Sequence, residues 1–196
     1  MFPRTRFALI AFGLIAFAAA GCASSTSAGR QALNQGRPDE AAEQFQQALA
    51  ENPDNADALL GLGVSRYRLG DYDSAVANLQ QVIARRPAEP GARLYLGLIH
   101  LRRGEDAAAA EQLTALRALP LHPRFSAHVS RTLALLRSSQ LPDAARAYVA
   151  ADLEDTAGWA REVAELQRSL SHAATWNDPF FAYGWYGRPY YIRVHR

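Results

Sequence analysis

The chain has 196 residues, of which 49% are hydrophobic and 20% are charged, a balance that excludes wholesale disorder, a collagen-like fibre and a small disulfide-dense domain. The basic residues, all arginine, number 21 against 19 acidic residues, so the chain lacks the positive charge typical of nucleic-acid-binding proteins. A single cysteine excludes an internal disulfide and a zinc site made of cysteines.

The N-terminal residues have the features of a secretory signal peptide. Arg4 and Arg6 give the segment a positive start, and an apolar run follows from residue 7 to residue 20. A run of this length fits the core of a signal peptide and falls short of the roughly 20 residues that span a bilayer as a helix. Removal of residues 1–21 would leave equal numbers of acidic and basic residues in the mature chain.

The apolar run ends in a short motif around the only cysteine. The sequence Ala19-Ala20-Gly21-Cys22 resembles the lipobox of bacterial lipoproteins, although leucine is commoner where Ala19 stands. The resemblance implies that Cys22 carries lipid, including palmitate, and becomes the new N-terminus. An aspartate after the cysteine usually signals inner-membrane retention in Gram-negative lipoproteins, so Ala23 implies the outer membrane. The alternative is ordinary cleavage near Gly21, with Cys22 incidental.

The middle of the chain repeats with a period of 34 residues. Glycine recurs at this interval at Gly36, Gly70 and Gly104. Small or apolar residues form three more columns with the same period: Ala41, Ala75 and Ala109; Phe45, Leu79 and Leu113; Ala48, Val82 and Leu116. The period and the columns strongly resemble the tetratricopeptide repeat, a helix–turn–helix unit of 34 residues. The resemblance implies an all-α fold, a right-handed α-solenoid of about three to four such hairpins.

The residues of one unit agree with this assignment. Gly70 is predicted to close a first helix, and Ala75 to lie where two helices cross too closely for a larger side chain. Leu79 and Val82 are predicted to be buried against the next unit. Pro87 is predicted to end the second helix, because its ring cannot continue the hydrogen-bond ladder.

The later part of the chain keeps the pattern only weakly. A degenerate fourth unit is predicted from residue 126 to about residue 155, with Leu133, Ala145 and Val149 in matching positions, although Gln140 replaces the turn glycine. A separate capping helix is predicted at about 156–172. The predicted domains are a signal peptide at 1–21, a lipidated flexible tether at 22–28, repeats at 29–123, the degenerate repeat with the capping helix at 124–172, and an aromatic tail at 173–196.

In the family that the repeats resemble, the first helix of each unit lines a concave surface that binds peptides. The resemblance implies that these residues form a partner groove: Leu60, Val64, Tyr67, Arg68, Leu94, Leu98, Leu101 and Arg102, with Arg30, Leu33, Asn34 and Asp57 beside them. The groove departs from the chaperone-tail binders, whose lysines and asparagines clamp a terminal carboxylate. An apolar wall bordered by arginine suits an amphipathic helix or an extended apolar segment. The alternative is that the leucines pack between first helices and the arginines are solvated.

The C-terminal tail is unusually aromatic and contains four helix-breaking residues, Pro179, Gly184, Gly187 and Pro189. Its aromatic contact residues are predicted to be Phe180, Phe181, Trp185 and Tyr186. Three interpretations remain open at this stage: the tail covers the repeats, it docks on a partner or a membrane interface, or it is a loose end.

No pattern in the sequence predicts catalysis. None of the five histidines forms a HExxH pair, and neither a phosphate-binding glycine loop nor a nucleophile elbow is present. His100 lies at a core-like position of a first helix, where a packed histidine is commoner than a metal ligand. The sequence therefore predicts a non-enzymatic protein without a cofactor or a bound metal.

Together these features predict a periplasmic protein-interaction scaffold anchored to the outer membrane by lipid. The resemblance to lipoproteins of pilus and secretin assembly, and of outer-membrane protein insertion, implies help in assembling an envelope machine. One alternative is a lipoprotein regulator of a peptidoglycan enzyme. Another, from a different class, is an envelope enzyme or metal carrier built on the repeat scaffold. The expected partner is an envelope protein, with no role for nucleic acid.

Overall fold

The computed structural model describes residues 24–138 and 141–175, and within these ranges it contains eight α-helices and no strand. In chain order, α1 to α8 are Ser25–Asn34, Pro38–Glu51, Ala56–Arg68, Tyr72–Arg85, Pro90–Arg102, Asp106–Arg117, Pro123–Ser138 and Asp143–Thr175. The predicted all-α helical repeat fold is confirmed. The chain divides into a first unit, residues 1–100, and a second unit, residues 101–196, so the division falls inside α5.

Short polar side chains and prolines define where the helices begin. The Asn55 side chain accepts backbone N–H bonds from Asp57 and Ala58, both at 3.1 Å, and so caps α3. Asp71 caps α4 by accepting the N–H of Ser74 at 3.3 Å, and the bond with Ser74 holds the pKa of Asp71 below its ordinary value. Three other helices begin with a proline, which has no N–H to leave unpaired: Pro38, Pro90 and Pro123.

The three glycines of the 34-residue column close the first helix of three hairpins. Gly36, Gly70 and Gly104 have φ angles of 72°, 80° and 74°, in the left-handed region that favours glycine. The prediction that Gly70 ends a first helix is therefore confirmed, since α3 ends two residues before it. Gln140, at the corresponding turn of the fourth hairpin, lies outside the described residues.

The core of the first unit contains one large ring held between two glycines. The Phe45 side chain is fully buried on α2 and lies against Gly29 of α1 and Gly61 of α3. A Cβ atom at Gly29 would lie 2.8 Å from the ring, and a Cβ atom at Gly61 would overlap it. The absence of a side chain at both positions therefore lets α2 pack closely against α1 and α3.

Every member of the three predicted core columns is buried, and most are fully inaccessible. Ala75, at the predicted helix crossing, has no exposed surface, and Leu79 of the same helix lies beneath Gly63 of α3. The side-chain positions predicted from the 34-residue period are thus confirmed in all three units. The predicted ends of two second helices also agree, because α2 and α4 each end two residues before a proline.

We expect Ala75→Leu to lower the free energy of unfolding by about 1–3 kcal/mol, because the added atoms have no space at a fully buried position. Chemical denaturation with urea measures the change. Ala50→Leu, at an exposed position of α2, is the matched control and is expected to have little effect. Equal stability of wild type and Ala75→Leu would contradict the close helix crossing.

The predicted flexible tether is wrong for its last four residues. Ser25–Ala28 form the first turn of α1, because Ser24 caps this helix and accepts the backbone N–H of Ser27 at 3.4 Å. Residues 22 and 23, including the predicted lipidation site Cys22, lie outside the described residues.

The fourth hairpin, α7 and α8, differs from the prediction in two ways. The predicted second helix and the separate capping helix are one continuous helix, α8, of 33 residues. Leu133 is buried as predicted, but Ala145 and Val149 are only half-buried, while Ala150 and Leu153 are fully buried. The spacing of Ala109, Leu113 and Leu116 therefore recurs at Arg146, Ala150 and Leu153, 37 residues later.

This shift places an arginine where the other units have a buried alanine. Arg146 donates from Nε and a terminal nitrogen to the two carboxylate oxygens of Asp106, at 2.8 and 2.9 Å, and also pairs with Asp143. Its guanidinium lies beside Gly104, which has no side chain to obstruct it. These hydrogen bonds hold the pKa of Asp106 below its ordinary value, and that from Asp106 raises the pKa of Arg146.

The Arg146–Asp106 pair is expected to make stability depend on pH. Because the pKa of Asp106 is lower in the folded than in the unfolded chain, its contribution is complete above the unfolded pKa near 4 and is lost as the pH falls through the folded pKa. We expect Arg146→Met to lower the Tm at pH 7 and the difference from wild type to shrink towards pH 3. Arg85→Met, which breaks a pair with the 88% exposed Asp54, is the control and should change the Tm little.

Candidate partner-binding surface

The structure buries most of the predicted partner groove. Five of its eight residues have at most 7% of their surface exposed, and these are Val64, Tyr67, Leu94, Leu98 and Leu101. For these five the predicted groove role is wrong, because their side chains offer no surface to a partner in this conformation. Their helical spacing reflects core packing, the alternative that the sequence left open.

Tyrosine packing explains why one predicted groove position is internal. The ring of Tyr67 meets Tyr95 edge-on at 5.2 Å between ring centres, and it lies 5.9 Å from Tyr72. Edge-to-face contacts of this kind stabilise aromatic pairs beyond the area that they bury. Tyr67 is thus part of the interior of the first unit.

The two predicted border arginines are exposed, and one has a structural partner. A terminal nitrogen of Arg68 donates to the backbone carbonyl of Leu33 at 2.9 Å. Leu33 lies in the last turn of α1, where carbonyl groups lack a partner within the helix. Arg68 therefore links α3 to the end of α1 as well as facing solvent. Arg102 is exposed in the second unit.

An exposed cluster in the first unit combines charged and apolar groups from four helices. We name Arg30, Asp57, Leu60, Arg86 and Gly91 the Asp57 cluster. Asp57 lies 2.7 Å from a terminal nitrogen of Arg86 and 3.7 Å from one of Arg30. Leu60, one turn later, is half-buried, and a Cβ atom at Gly91 would lie 3.2 Å from its Cδ2 atom.

The charges of the Asp57 cluster are accessible. The side chains of Arg30, Arg86 and Asp57 are 61%, 49% and 47% exposed. Ion pairs this exposed typically contribute about 0–1 kcal/mol, so a partner can replace them at little cost. Arg86 was missed at the sequence level, although its position just before Pro87 shows that it lies at the end of a helix.

The other predicted functional residues do not form a second centre in the described part of the chain. His100 is half-buried on α5. His128 approaches Asp152 at 2.9 Å and Thr156 at 3.5 Å. Among residues 24–138 and 141–175, no three histidine, cysteine or acidic side chains lie close enough to hold a metal ion. The tail residues Phe180, Phe181, Trp185 and Tyr186 lie outside these ranges.

Helical hairpins repeating every 34 residues define a helical repeat protein. A family model described as tetratricopeptide repeat matches residues 26–76 and 62–123, which together span half of the chain. The chain therefore belongs to the tetratricopeptide repeat family. A search of curated proteins gives no match. In the ranges that the structure describes, no helix is long and apolar enough to cross a membrane.

Solved structures agree with the family assignment. The type III secretion translocator chaperone SycD of Yersinia enterocolitica is 25% identical, with a TM-score of 0.54, covering 58% of this chain and 81% of its own. A crystal structure of MamA is 18% identical, with a TM-score of 0.54, covering 76% and 88%. MamA from AMB-1 is 23% identical, with a TM-score of 0.50, covering 74% and 76%. The MamA similarities concern the fold alone.

Proposed function

We propose that this chain is a protein-binding scaffold of the cell envelope that helps to assemble a larger machine, of the pilus and secretin type or the outer-membrane assembly type. Proteins of the tetratricopeptide repeat family bind protein partners, and membership of this family is the observation that carries the proposal. SycD, described as a translocator chaperone, supports a protein-binding role from a similar structure.

The Asp57 cluster is the surface that we assign to the partner. It offers exposed charges of both signs next to the half-buried side chain of Leu60, and such a mixture of apolar and polar surface is typical of protein interfaces. The burial of Leu94 and Leu98 means that a wide apolar groove is not required. A partner segment with a basic group for Asp57 and an apolar side chain for Leu60 fits this surface best.

Photo-crosslinking in whole cells tests the partner assignment. A benzophenone amino acid in place of Leu60 is expected to give one defined crosslinked envelope protein, and Asp57→Arg should weaken that product about tenfold, equivalent to 1.4 kcal/mol of binding free energy. The same amino acid in place of Gln47, exposed on α2, is the matched control and should not give the product. Equal products from both positions, or no product from Leu60, would contradict the proposed surface.

The location that we propose is the periplasmic face of the outer membrane, with lipid on Cys22. The supporting observation is the signal-peptide pattern of residues 1–21 followed by the single cysteine. Several acyl chains hold a protein firmly, because each buried methylene contributes about 0.8 kcal/mol.

We expect Cys22→Ser to abolish labelling by radioactive palmitate and to move the protein out of the membrane fraction, because serine has no thiol to accept lipid. Ser24→Ala, two residues away, is the control and should keep the label. Undiminished labelling of Cys22→Ser would refute the lipid anchor.

The proposal also holds that the protein is not an enzyme. Purified protein should then show neither stoichiometric metal nor turnover in hydrolase assays. A peptidoglycan enzyme as the crosslinked product would favour the regulator alternative, whereas bound metal or turnover would favour an envelope enzyme or metal carrier.

A further inference from the structure

The last hairpin has partners of unequal length. Helix α7 has 16 residues and α8 has 33, or about 24 Å and 50 Å at 1.5 Å per residue. The two helices run antiparallel, since the Arg124 guanidinium lies 4.5 Å from the centre of the Trp159 ring while His128 contacts Asp152. Trp159 is therefore level with the first turn of α7, and the residues of α8 after it extend beyond that turn.

One face of α8 carries a mixed apolar and acidic surface along much of its length. We name it the α8 stripe, and its residues are Tyr148, Asp152, Asp155, Trp159, Val163 and Leu166. Intervals of three and four residues place them on one side of the helix. Tyr148 is 74% exposed and Leu166 is 59% exposed, which is unusual for large hydrophobic side chains.

The contacts of Trp159 show what chemistry this face accepts. The Arg124 guanidinium lies over its ring, and the His122 ring meets it edge-on at 4.9 Å. Both are arrangements in which an aromatic face attracts a cation or another ring. A segment that combines aromatic side chains with arginine therefore fits the α8 stripe, since its carboxylates would pair with the arginines.

The chain itself contains such a segment, and it begins directly after α8. Residues 176–196 contain eight aromatic residues and three arginines, Arg188, Arg193 and Arg196, against one acid. Helix α8 contains six acidic residues against three arginines, so the two segments carry opposite net charges. Extended at about 3.3 Å per residue, the 21 residues reach about 70 Å.

This reach exceeds the distance back along the helix. Leu166 lies about 13 Å before the end of α8, and Tyr148 about 40 Å before it. A chain that reverses direction after residue 175 brings its early aromatic residues, such as Phe181, to Leu166 and its later arginines to Asp155. Pro179 and Gly184 suit such a reversal, because neither favours continuation of the helix.

We infer that the aromatic C-terminal segment, residues 176–196, docks in the same chain on the α8 stripe. The aromatic residues cover the exposed apolar side chains beyond α7, and the arginines pair with the carboxylates nearer the middle of the helix. The hairpin of unequal length is thereby completed by the chain that follows it. This inference is independent of the partner surface in the first unit.

Crosslinking within the full-length chain tests the inference. A benzophenone amino acid in place of Phe181 is expected to react within one chain, with products that mass spectrometry locates at residues 159–166. Leu166→Ser removes apolar contact and Asp155→Arg repels the tail arginines, so each should lower the yield by about tenfold. The matched controls are Leu69→Ser at another exposed leucine and Glu43→Arg at an exposed acid of α2, and both should leave it unchanged.

Several results would overturn the inference. Crosslinks between two chains would show that the stripe binds a second copy, and crosslinks to the first unit would place the segment elsewhere. A yield that neither Leu166→Ser nor Asp155→Arg changes, or the absence of any product on α8, would also contradict the docking. Circular dichroism of each variant checks that helix content is retained, and Asp155→Arg alone decides the matter if Leu166→Ser loses structure.

Discussion

Phe45→Ala is expected to lower the free energy of unfolding by about 3–5 kcal/mol, the largest effect of any single substitution that we predict. The ring is fully buried between Gly29 and Gly61, so it joins three helices of the first unit. With glycine on both sides, no neighbouring side chain at these two positions can move in to fill the cavity. The loss therefore includes both the transfer of the ring to water and an unfilled space.

Urea denaturation followed by circular dichroism measures this change. Gln47→Ala, an exposed position of the same helix, is the matched control and should stay within about 0.5 kcal/mol of wild type. A loss below about 1 kcal/mol for Phe45→Ala would mean that the first hairpin is not packed as described.

Gly61→Ala is expected to destabilise the protein by about 1–3 kcal/mol even though alanine is the better helix former. An added Cβ atom would overlap the Phe45 ring, and the overlap outweighs the gain in helix propensity of about 1 kcal/mol. Gly158→Ala on α8 is the control, because nothing lies within 4 Å of a Cβ atom there. We expect that change to stabilise the protein by about 0.4–1 kcal/mol.

A double-mutant cycle identifies the cause of the Gly61→Ala effect. In a Phe45→Ala background the ring is gone, so adding the methyl group at position 61 should cost little or even stabilise. The same penalty in both backgrounds would show that the overlap with Phe45 is not responsible.

The parts of the fold that the sequence predicts are those fixed by local repetition. Three glycines at one interval mark turns that need positive φ, and Ala75 with Leu79 and Val82 marks buried positions of a second helix. These signals are independent of neighbouring units, because each residue type suits the backbone or the space at its own position. The all-α repeat fold follows from them directly.

The candidate surface was harder to predict because exposure depends on neighbours. A leucine stripe such as Leu94 and Leu98 looks the same whether it faces a partner or another helix, and only packing distinguishes the two. Arg146 was missed for a related reason. Its pairing with Asp106 joins residues 40 positions apart, and the shift from the 34-residue period hides its place in the alanine column.

The fit of Phe45 to Gly61 has a consequence for how such a chain can evolve. One period later the same two positions hold Leu79 and Tyr95, both fully buried, so bulk that the earlier pair places on a second helix is placed on a first helix in the later pair. Deleting one 34-residue unit from the gene would set Phe45 against Tyr95, two rings where the native pairs each have one. Unit number can therefore change at this junction only together with a compensating substitution, which gives the repeats a fixed order despite their common ancestry in pattern.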